Sequence, residues 1–585
     1  MHDAQEVSDL SREFENNAQS AQGDMKSMDD SATLTEQAPA LAPPANSKLV
    51  DLWQWGMANR VDVLFWGVFG FFSVFMILPI WSLHYLPLGD LADHAGQIQI
   101  ILNYENYQDD YRINWFTPYL VAYGLTIFLA QIFSIITSIK IVLTLCALTF
   151  PIGAYYVNKQ LGGNRYWSLI CFPASYSFAF YWGFYSFVVG CAISMFFFVF
   201  VLAYARAKIT AKWYVAAFLF SLLLFFSHFM VWAIAICATP LIIFMFNGFK
   251  STVDKTTAFL LIAPLAAYWL SISGGFGNTA SPPVQEGYYV QEVVNLISRE
   301  VNYMVDMFNQ RSDSGKHLDR VKELFGFAIG RGNLLDYVVI TLCLLVWPLF
   351  LGAKLSRDIR RWLPLLYCVS MFMLVPYAIL NTFYVYCRFA VFLLPFALFV
   401  YEQRKPKEQG APKSINWYAH IGAASGFLAT YLILASNYAL FASFKENDKN
   451  FTAILEKMAP GKMVQSLIFY TDSRLNFSPA YVHYGMWYQA EKGGEVIFSF
   501  THDPHAYGVP VRYKHRTWPW PSPWNAREFK WSKHRGELYD YFLVRSDKRR
   551  DYLFPASKDI VLIEKRGKWY LYGRKSLQPA VENDV

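Results

Sequence analysis

Between Val61 and Phe441 one pattern repeats: an apolar run, a short polar break, then another apolar run. The runs fall at 61–82, 118–136, 138–158, 166–182, 185–205, 213–228, 230–247, 257–273, 335–353, 362–380, 384–401 and 415–441. Most reach about 18 residues or more, the length that crosses a bilayer as a helix. In hydrocarbon every backbone group must be paired, which a helix does within its own segment, so such runs read as helices. Charged residues make up 16% of the chain, against about a quarter in soluble proteins. Trp and Tyr collect near the run ends, where amphipathic rings sit at headgroup level. The chain therefore reads as a polytopic α-helical membrane protein.

The net charge of +7 lies mostly in short loops between runs. It is an orientation signal and implies no nucleic-acid partner. If every run crossed, the loop of Lys159 and Arg165 and the loop of Arg206, Lys208 and Lys212 would both lie outside, against the positive-inside rule. If 118–136 instead lies on or dips into the outer leaflet, all basic loops fall on the cytoplasmic side. This gives about 11 spans, a cytoplasmic N-terminus and an external C-terminus. The bacterial inner (plasma) membrane is the expected location. All seven cysteines lie inside the apolar runs, so no disulfide framework is expected. Residues 1–50 are polar and acidic, lack an apolar core and should form a disordered cytoplasmic tail.

The expected domains are this tail, a transmembrane domain at 51–444 and an external α/β domain at 445–585. Two external loops join them, 83–138 with a surface-lying helix and 274–334. In the C-terminal part, "SLIFYT" (466–471), "VIFSF" (496–500), "DYFLVR" (540–545) and "IVLIEK" (560–565) predict strands. A hairpin should turn at Arg566-Gly567, and a helix in 483–494 should stop at Gly493. His502, His505 and His515 have no metal-ligand spacing and read as surface residues. "GGFGN" (274–278) is no phosphate loop, because no strand precedes it and no Gly-Lys-Ser/Thr comes after it. It reads as a linker into a helical pattern at 287–311.

The first external loop opens with "LPLGDLADHAGQIQII". Asp90, Asp93 and His94 stand at i, i+3 and i+4, one face of a helix. The plain reading is a helix start, with Asp90 as N-cap and Asp93 completing a capping box. The chemical reading is a carboxylate beside a dry cleft at the membrane surface, acting as general base toward a hydroxyl. A neighbouring carboxylate or imidazole would orient it. A divalent ion on Asp90 and Asp93 would also suit hard oxygen ligands.

The order of parts is one span, an acidic motif in the first external loop, a surface helix, a bundle, then an external α/β domain. This layout resembles the GT-C class of integral-membrane glycosyltransferases, which use polyprenyl-phosphate-linked sugars. The resemblance implies a GT-C-like bundle and places Asp90 and Asp93 where the class carries its catalytic base. The class usually shows Glu-x-Asp, Asp-x-Glu or an adjacent Asp-Glu pair, whereas this chain has Asp-x-x-Asp-His. No metal requirement comes with the resemblance. It implies membrane lipid and a polyprenyl-phosphate-linked sugar as partners, an acceptor that is glycan, lipid or protein, and an inverting transfer. The alternative is a non-catalytic scaffold or transporter for envelope polysaccharide or lipid. Ion-coupled transport needs ionisable groups deep in the spans, and no acidic residue lies there.

Arg388, in "YVYCRFAVFLLP", sits about one turn inside a span. It reads either as a fork for the donor phosphate or as a side chain reaching for the headgroups. His228 falls between two runs, as a structural polar group or a donor-binding residue. "SYSFAFYWGFYSF" (175–187) forms an aromatic hairpin. Its Tyr181 and Trp182 are candidates to stack on sugar or isoprenoid, or simply members of an interfacial belt. With His94 these complete the candidate donor site. "RTWPWPSPW" (516–524) would bind glycan or pack the domain onto the bundle.

Overall fold

The computed structural model describes residues 60–272, 314–330, 334–379, 382–404, 417–471, 479–502, 509–515, 519, 521–555 and 559–577. The expected tail (1–50), "GGFGN", the 287–311 pattern, His505 and part of the 516–524 stretch lie outside the described residues. The chain divides into two units, Met1–Leu64 and Phe65–Val585. The sheet and the acidic motif both belong to the second.

Among the described residues four helices are long and apolar enough to cross a membrane unaided: Asp62–Trp81, Ile135–Gln160, Tyr185–Arg206 and Ile421–Glu456. The run at 118–136 yields a helix of only 11 residues, Leu120–Ala130. At 1.5 Å per residue it is about 16 Å long, half a hydrocarbon core. Its Ala122, Tyr123 and Thr126 are buried, while Leu125 and Phe128, and beyond them Ile132 and Phe133, are exposed.

Three runs differ from regular spans. The 166–182 run is a chain of 3-10 turns, Arg165–Cys171 and Pro173–Tyr176, ending in a short helix Phe178–Trp182. Pro173 lacks the N–H an α-helix needs. Trp167 through Gly183 are all buried, so the irregular backbone is shielded by protein from lipid. The 384–401 run starts as a 3-10 turn, Tyr386–Phe392, and becomes α-helical only at Leu393–Val400. The 362–380 run is helical from Leu363 to Leu374 and then enters a small hairpin, Ala378–Ile379 with Thr382–Phe383. At 213–247 the extended backbone of His228 (φ −170, ψ 121) separates two helices, Ala211–Ser227 and Phe229–Phe244.

Several basic residues gather at one end of the bundle. Arg206 donates to Gln160 Oε1 at 2.9 Å, and Lys255 Nζ to Ala205 O at 2.7 Å. Arg361 donates to Tyr401 O at 2.8 Å. The Tyr185–Arg206 helix has 22 residues, about 33 Å of rise. Its Tyr185 end lies beside His94, with ring centroids 6.0 Å apart. The acidic motif and the Arg206 cluster thus stand about a bilayer apart.

The C-terminal part holds a five-stranded sheet in the order Ile560–Arg566, Trp569–Arg574, Tyr541–Arg545, Met463–Ile468, Glu495–Ile497. Met463–Ile468 is parallel to both its neighbours, and the other pairs are antiparallel. The hairpin turns through Gly567 at φ +52. The helix Met486–Lys492 stops at Gly493, φ +68, in a conformation suited to glycine. This helix packs on the Leu91–Leu102 helix, where a Cβ at Gly96 would strike Met486.

Further bonds tie the first loop to this region. Asp448 accepts the N–H groups of His84 (2.6 Å) and Tyr85 (2.8 Å). Glu491 accepts Tyr85 Oη–H at 2.7 Å and pairs with His84 Nε2 at 2.9 Å. Tyr111–Ile113 pairs antiparallel with Val511–Tyr513. His502, expected at the surface, is buried against Glu495 (3.0 Å) and Tyr111 (3.4 Å). That strand pair, which short-range pattern does not reveal, covers it. His515 is exposed beside Asp110.

Candidate functional site

The Pro87-Leu88-Gly89 turn delivers the chain into the helix Leu91–Leu102. Asp90 occupies the N-cap position, yet its side chain makes no capping hydrogen bond. Its carboxylate is therefore not spent on starting the helix. Its backbone N–H donates to Trp182 O at 2.9 Å, and the Trp182 side chain bonds its carboxylate. Gly183 closes this contact at φ +81. A Cβ there would stand 2.7 Å from Leu91 N and 2.9 Å from Asp90 N. Only glycine combines that backbone angle with that approach.

The two aspartates differ in surroundings. Asp93 is fully buried; Oδ2 accepts Gln97 Nε2–H at 2.7 Å and Oδ1 accepts the Phe500 N–H at 3.0 Å. Ser499 bonds it as well. Asp93 is thus a strut between the first loop and the C-terminal part. The Asp90 side chain keeps 13% exposure, and its Oδ1 lies 3.8 Å from His483 Nε2. Burial, then the charge of Asp93, raises the Asp90 carboxyl well above the usual range, while Arg388 and Trp182 work the other way. Burial pushes Asp93 up to about 6 against the bonds from Phe500, Gln97 and Ser499. Burial holds His94 down to about 4, and burial with the charge of His94 holds His483 down to about 3. Both imidazoles are neutral near pH 7.

Arg388 is buried, with its guanidinium 4.1 Å from the Phe184 ring and 5.3 Å from Phe187. Nη2 reaches Phe383 O at 3.4 Å, and Nε has no hydrogen-bond partner among the described residues. Nη1 faces His228 Nε2 at 3.4 Å. His228 Nδ1 already accepts the Met230 N–H at 3.1 Å, which leaves the proton of a neutral ring on Nε2. Two donors then face each other with no acceptor between them. Such an arrangement has the chemistry of an anion site. The charges of Arg388 and Asp90 act on each other, so this site adjoins the acid.

The structure brings together Asp90, Asp93, His94, His228, Arg388 and Trp182. His94 Nδ1 bonds Tyr123 Oη at 2.6 Å, and Tyr123 donates to Gln97 Oε1 at 3.3 Å. Trp182 packs 4.1 Å from the Tyr384 ring and stacks near Trp524 at 6.4 Å. Tyr384 holds φ +59, a left-handed conformation unusual for an aromatic residue. Tyr181 is placed elsewhere: it is buried, donates to Asn437 Oδ1 at 2.7 Å and packs on Tyr176 and Phe441. It faces the helix core because it precedes Trp182 by one residue, so the two rings diverge.

Sequence reasoning passed over His483, Phe500 and Gln97. Gln97 had a local signal, four residues after Asp93 on the same helix face. His483 and Phe500 had none, because their partners lie about 400 positions earlier in the chain. As for a metal, no group of three or more His, Cys, Asp or Glu residues among the described ones is arranged to hold an ion. Asp93 Oδ1 and Oδ2 each accept an N–H donor, and no third ligand of this kind is grouped with the Asp90 and Asp93 pair among the described residues.

The solved structure of ArnT from Cupriavidus metallidurans bound to undecaprenyl phosphate shares this fold at a TM-score of 0.50. Identity is 10%, over 89% of this chain and 99% of that one. No protein-family model matches the chain, and no curated protein matches it. The chain is an integral membrane protein with a GT-C-like fold.

Proposed function

We propose that the protein is a membrane glycosyltransferase that moves a sugar from a polyprenyl-phosphate donor to an acceptor hydroxyl, with inversion at the anomeric carbon. One observation carries the reading. Arg388 Nη1 and His228 Nε2 face each other at 3.4 Å as two donors, near the carboxylate of Asp90. A donor phosphate supplies the missing acceptor, and charge-assisted bonds from a guanidinium fork suit it. Asp90 is the carboxylate that drives removal of the acceptor's proton; Asp93, which accepts hydrogen bonds from Gln97, Phe500 and Ser499, holds the motif in place. The undecaprenyl phosphate named with ArnT is the pattern for the donor lipid.

The basic cluster at the far end of the bundle supports an orientation with that end cytoplasmic. The acid site and the C-terminal sheet then face outward, in the cell envelope of a bacterium. The acceptor is a glycan, lipid or protein hydroxyl at that face.

The test is release of undecaprenyl phosphate from a panel of undecaprenyl-phospho-sugars in proteoliposomes supplied with envelope acceptors. Wild type should release it, and Asp90→Asn should lose at least about 100-fold in rate, the scale of one general base, while still binding undecaprenyl phosphate. Equal rates in both proteins would remove the mechanism. A wild type that binds the lipid and releases none from any donor would favour the scaffold reading.

A further inference from the structure

His483 is a buried, neutral imidazole in the C-terminal part, and its environment is unusual at both nitrogens. Nε2 lies 3.8 Å from Asp90 Oδ1, with the side chains 2% and 13% exposed. Nδ1 is buried and has no hydrogen-bond partner among the described residues. Phe500 packs edge-on against the ring at 4.8 Å, with Phe498 at 6.3 Å. A neutral imidazole has one N–H and one lone pair. With the N–H on Nε2, toward the Asp90 carboxylate, the lone pair sits on Nδ1 and is unpaired. A buried polar atom left unpaired in a native protein calls for an explanation.

We infer that His483 is a catalytic residue supplied by the C-terminal domain, with Nδ1 receiving the proton of the acceptor hydroxyl and Asp90 backing Nε2. This rests on the glycosyl-transfer reading and names the atom that touches the acceptor. In the step, the acceptor O–H bond breaks and its proton passes to Nδ1. The oxygen forms a bond to the anomeric carbon, and the bond from that carbon to the phosphate oxygen breaks. The electron pair leaves with the polyprenyl phosphate. The resulting imidazolium keeps its Nε2–H toward the Asp90 carboxylate, the logic of carboxylate, imidazole and hydroxyl in series. Separations such as 3.8 Å commonly tighten once substrate is bound. The groups facing this pair are Asp93 and His94 on the Leu91–Leu102 helix, Arg388 on the Tyr386–Phe392 turn, and Trp182.

The arrangement makes the C-terminal domain part of the catalytic centre. The same segment that holds Asp93 through the Phe500 N–H packs on His483, so undocking the domain removes the proton acceptor and the strut together.

The experiment compares wild type, His483→Leu, His483→Asn and His483→Gln in proteoliposomes. It reads undecaprenyl phosphate release, undecaprenyl phosphate binding and thermal unfolding. The inference predicts that His483→Leu loses at least about 100-fold in kcat, binds the lipid within about threefold of wild type and unfolds at the same or a higher temperature, since no polar atom is left unpaired. Asn and Gln replace the imidazole by an amide, which accepts a hydrogen bond but not a proton near neutral pH, so both should lose at least about 100-fold as His483→Leu does. Turnover within about threefold of wild type in His483→Leu overturns the inference while leaving the glycosyltransferase reading intact. Loss of turnover with a lower unfolding temperature in His483→Leu, or turnover recovered in His483→Asn or His483→Gln, which cannot take the proton, overturns it in favour of a packing or orienting role. A wild type inactive on every donor overturns both.

Discussion

Replacing Asp93 by Asn tests the division of labour between the two carboxylates through stability alone. Burial lifts Asp93 from the ordinary 3.8 to about 6. The folded protein therefore holds this proton more tightly than the unfolded chain and binds more protons between about pH 4 and pH 6. Stability contributed by this group is present below about pH 4 and is lost as pH rises to about 6. At about 1.4 kcal/mol for each tenfold in proton affinity, the loss is on the order of 3 kcal/mol. The amide of the variant has no charge to bury. Its Oδ1 can keep the Phe500 N–H, and a turn of the Gln97 amide can present Oε1 to the new Nδ2. Gln97 Nε2 then faces Tyr123 Oη, which can accept. Thermal unfolding in detergent at pH 4 to 8 should show wild type losing stability across that range relative to Asp93→Asn, with the gap widest above pH 6. Parallel pH curves for the two proteins, or a variant that is weakest at pH 8, would refute the assignment of Asp93 as a buried, charge-burdened strut.

Other outcomes come from the same geometry. Gly183→Ala places a Cβ 2.7 to 3.1 Å from the backbone of Leu91, Asp90 and Leu88 at φ +81. It should cost about 1–3 kcal/mol and abolish turnover, read by unfolding and by undecaprenyl phosphate release. Tyr85→Phe removes a 2.7 Å bond to the Glu491 carboxylate and should destabilise by about 1.5–3 kcal/mol, with faster proteolysis of the C-terminal part. Turnover by wild type should climb with pH through a carboxyl titration above the ordinary aspartate range, because Asp90 must be ionised and burial raises its pKa. A pH–rate profile with its acidic limb near the ordinary aspartate value of about 4 would contradict that.

What could be read from the sequence was what local pattern controls. The break at His228 reflects two apolar runs meeting at a polar residue, and the turn at Gly567 a glycine between two β-type runs. That the 118–136 run holds only a short helix, Leu120–Ala130, agrees with the loop-charge argument that it does not cross. The acid motif was legible as a cluster of ionisable groups on one helix face, and its capping alternative fails on the observed side-chain geometry at Asp90. The 3-10 path at 165–182 was not legible, since hydropathy reports burial and not helix type. The partners of Asp93 and Asp90 were hidden for a different reason. The Phe500 N–H that Asp93 binds is 407 positions away, a contact made by docking of the sheet region on the first loop. Tyr181 and Trp182 looked equivalent in sequence, and a one-residue difference sends one ring to Asn437 and the other to Asp90.

The central claim is that Arg388 and His228 form an anion site beside Asp90. Its most direct test is the affinity of the purified protein for undecaprenyl phosphate, measured for wild type and Arg388→Gln. Losing charge-assisted bonds worth about 1.5–3 kcal/mol should weaken binding by about 10- to 150-fold, with undecaprenol, which lacks the phosphate, bound weakly and equally by both. Equal affinity of the two proteins for undecaprenyl phosphate would contradict the account.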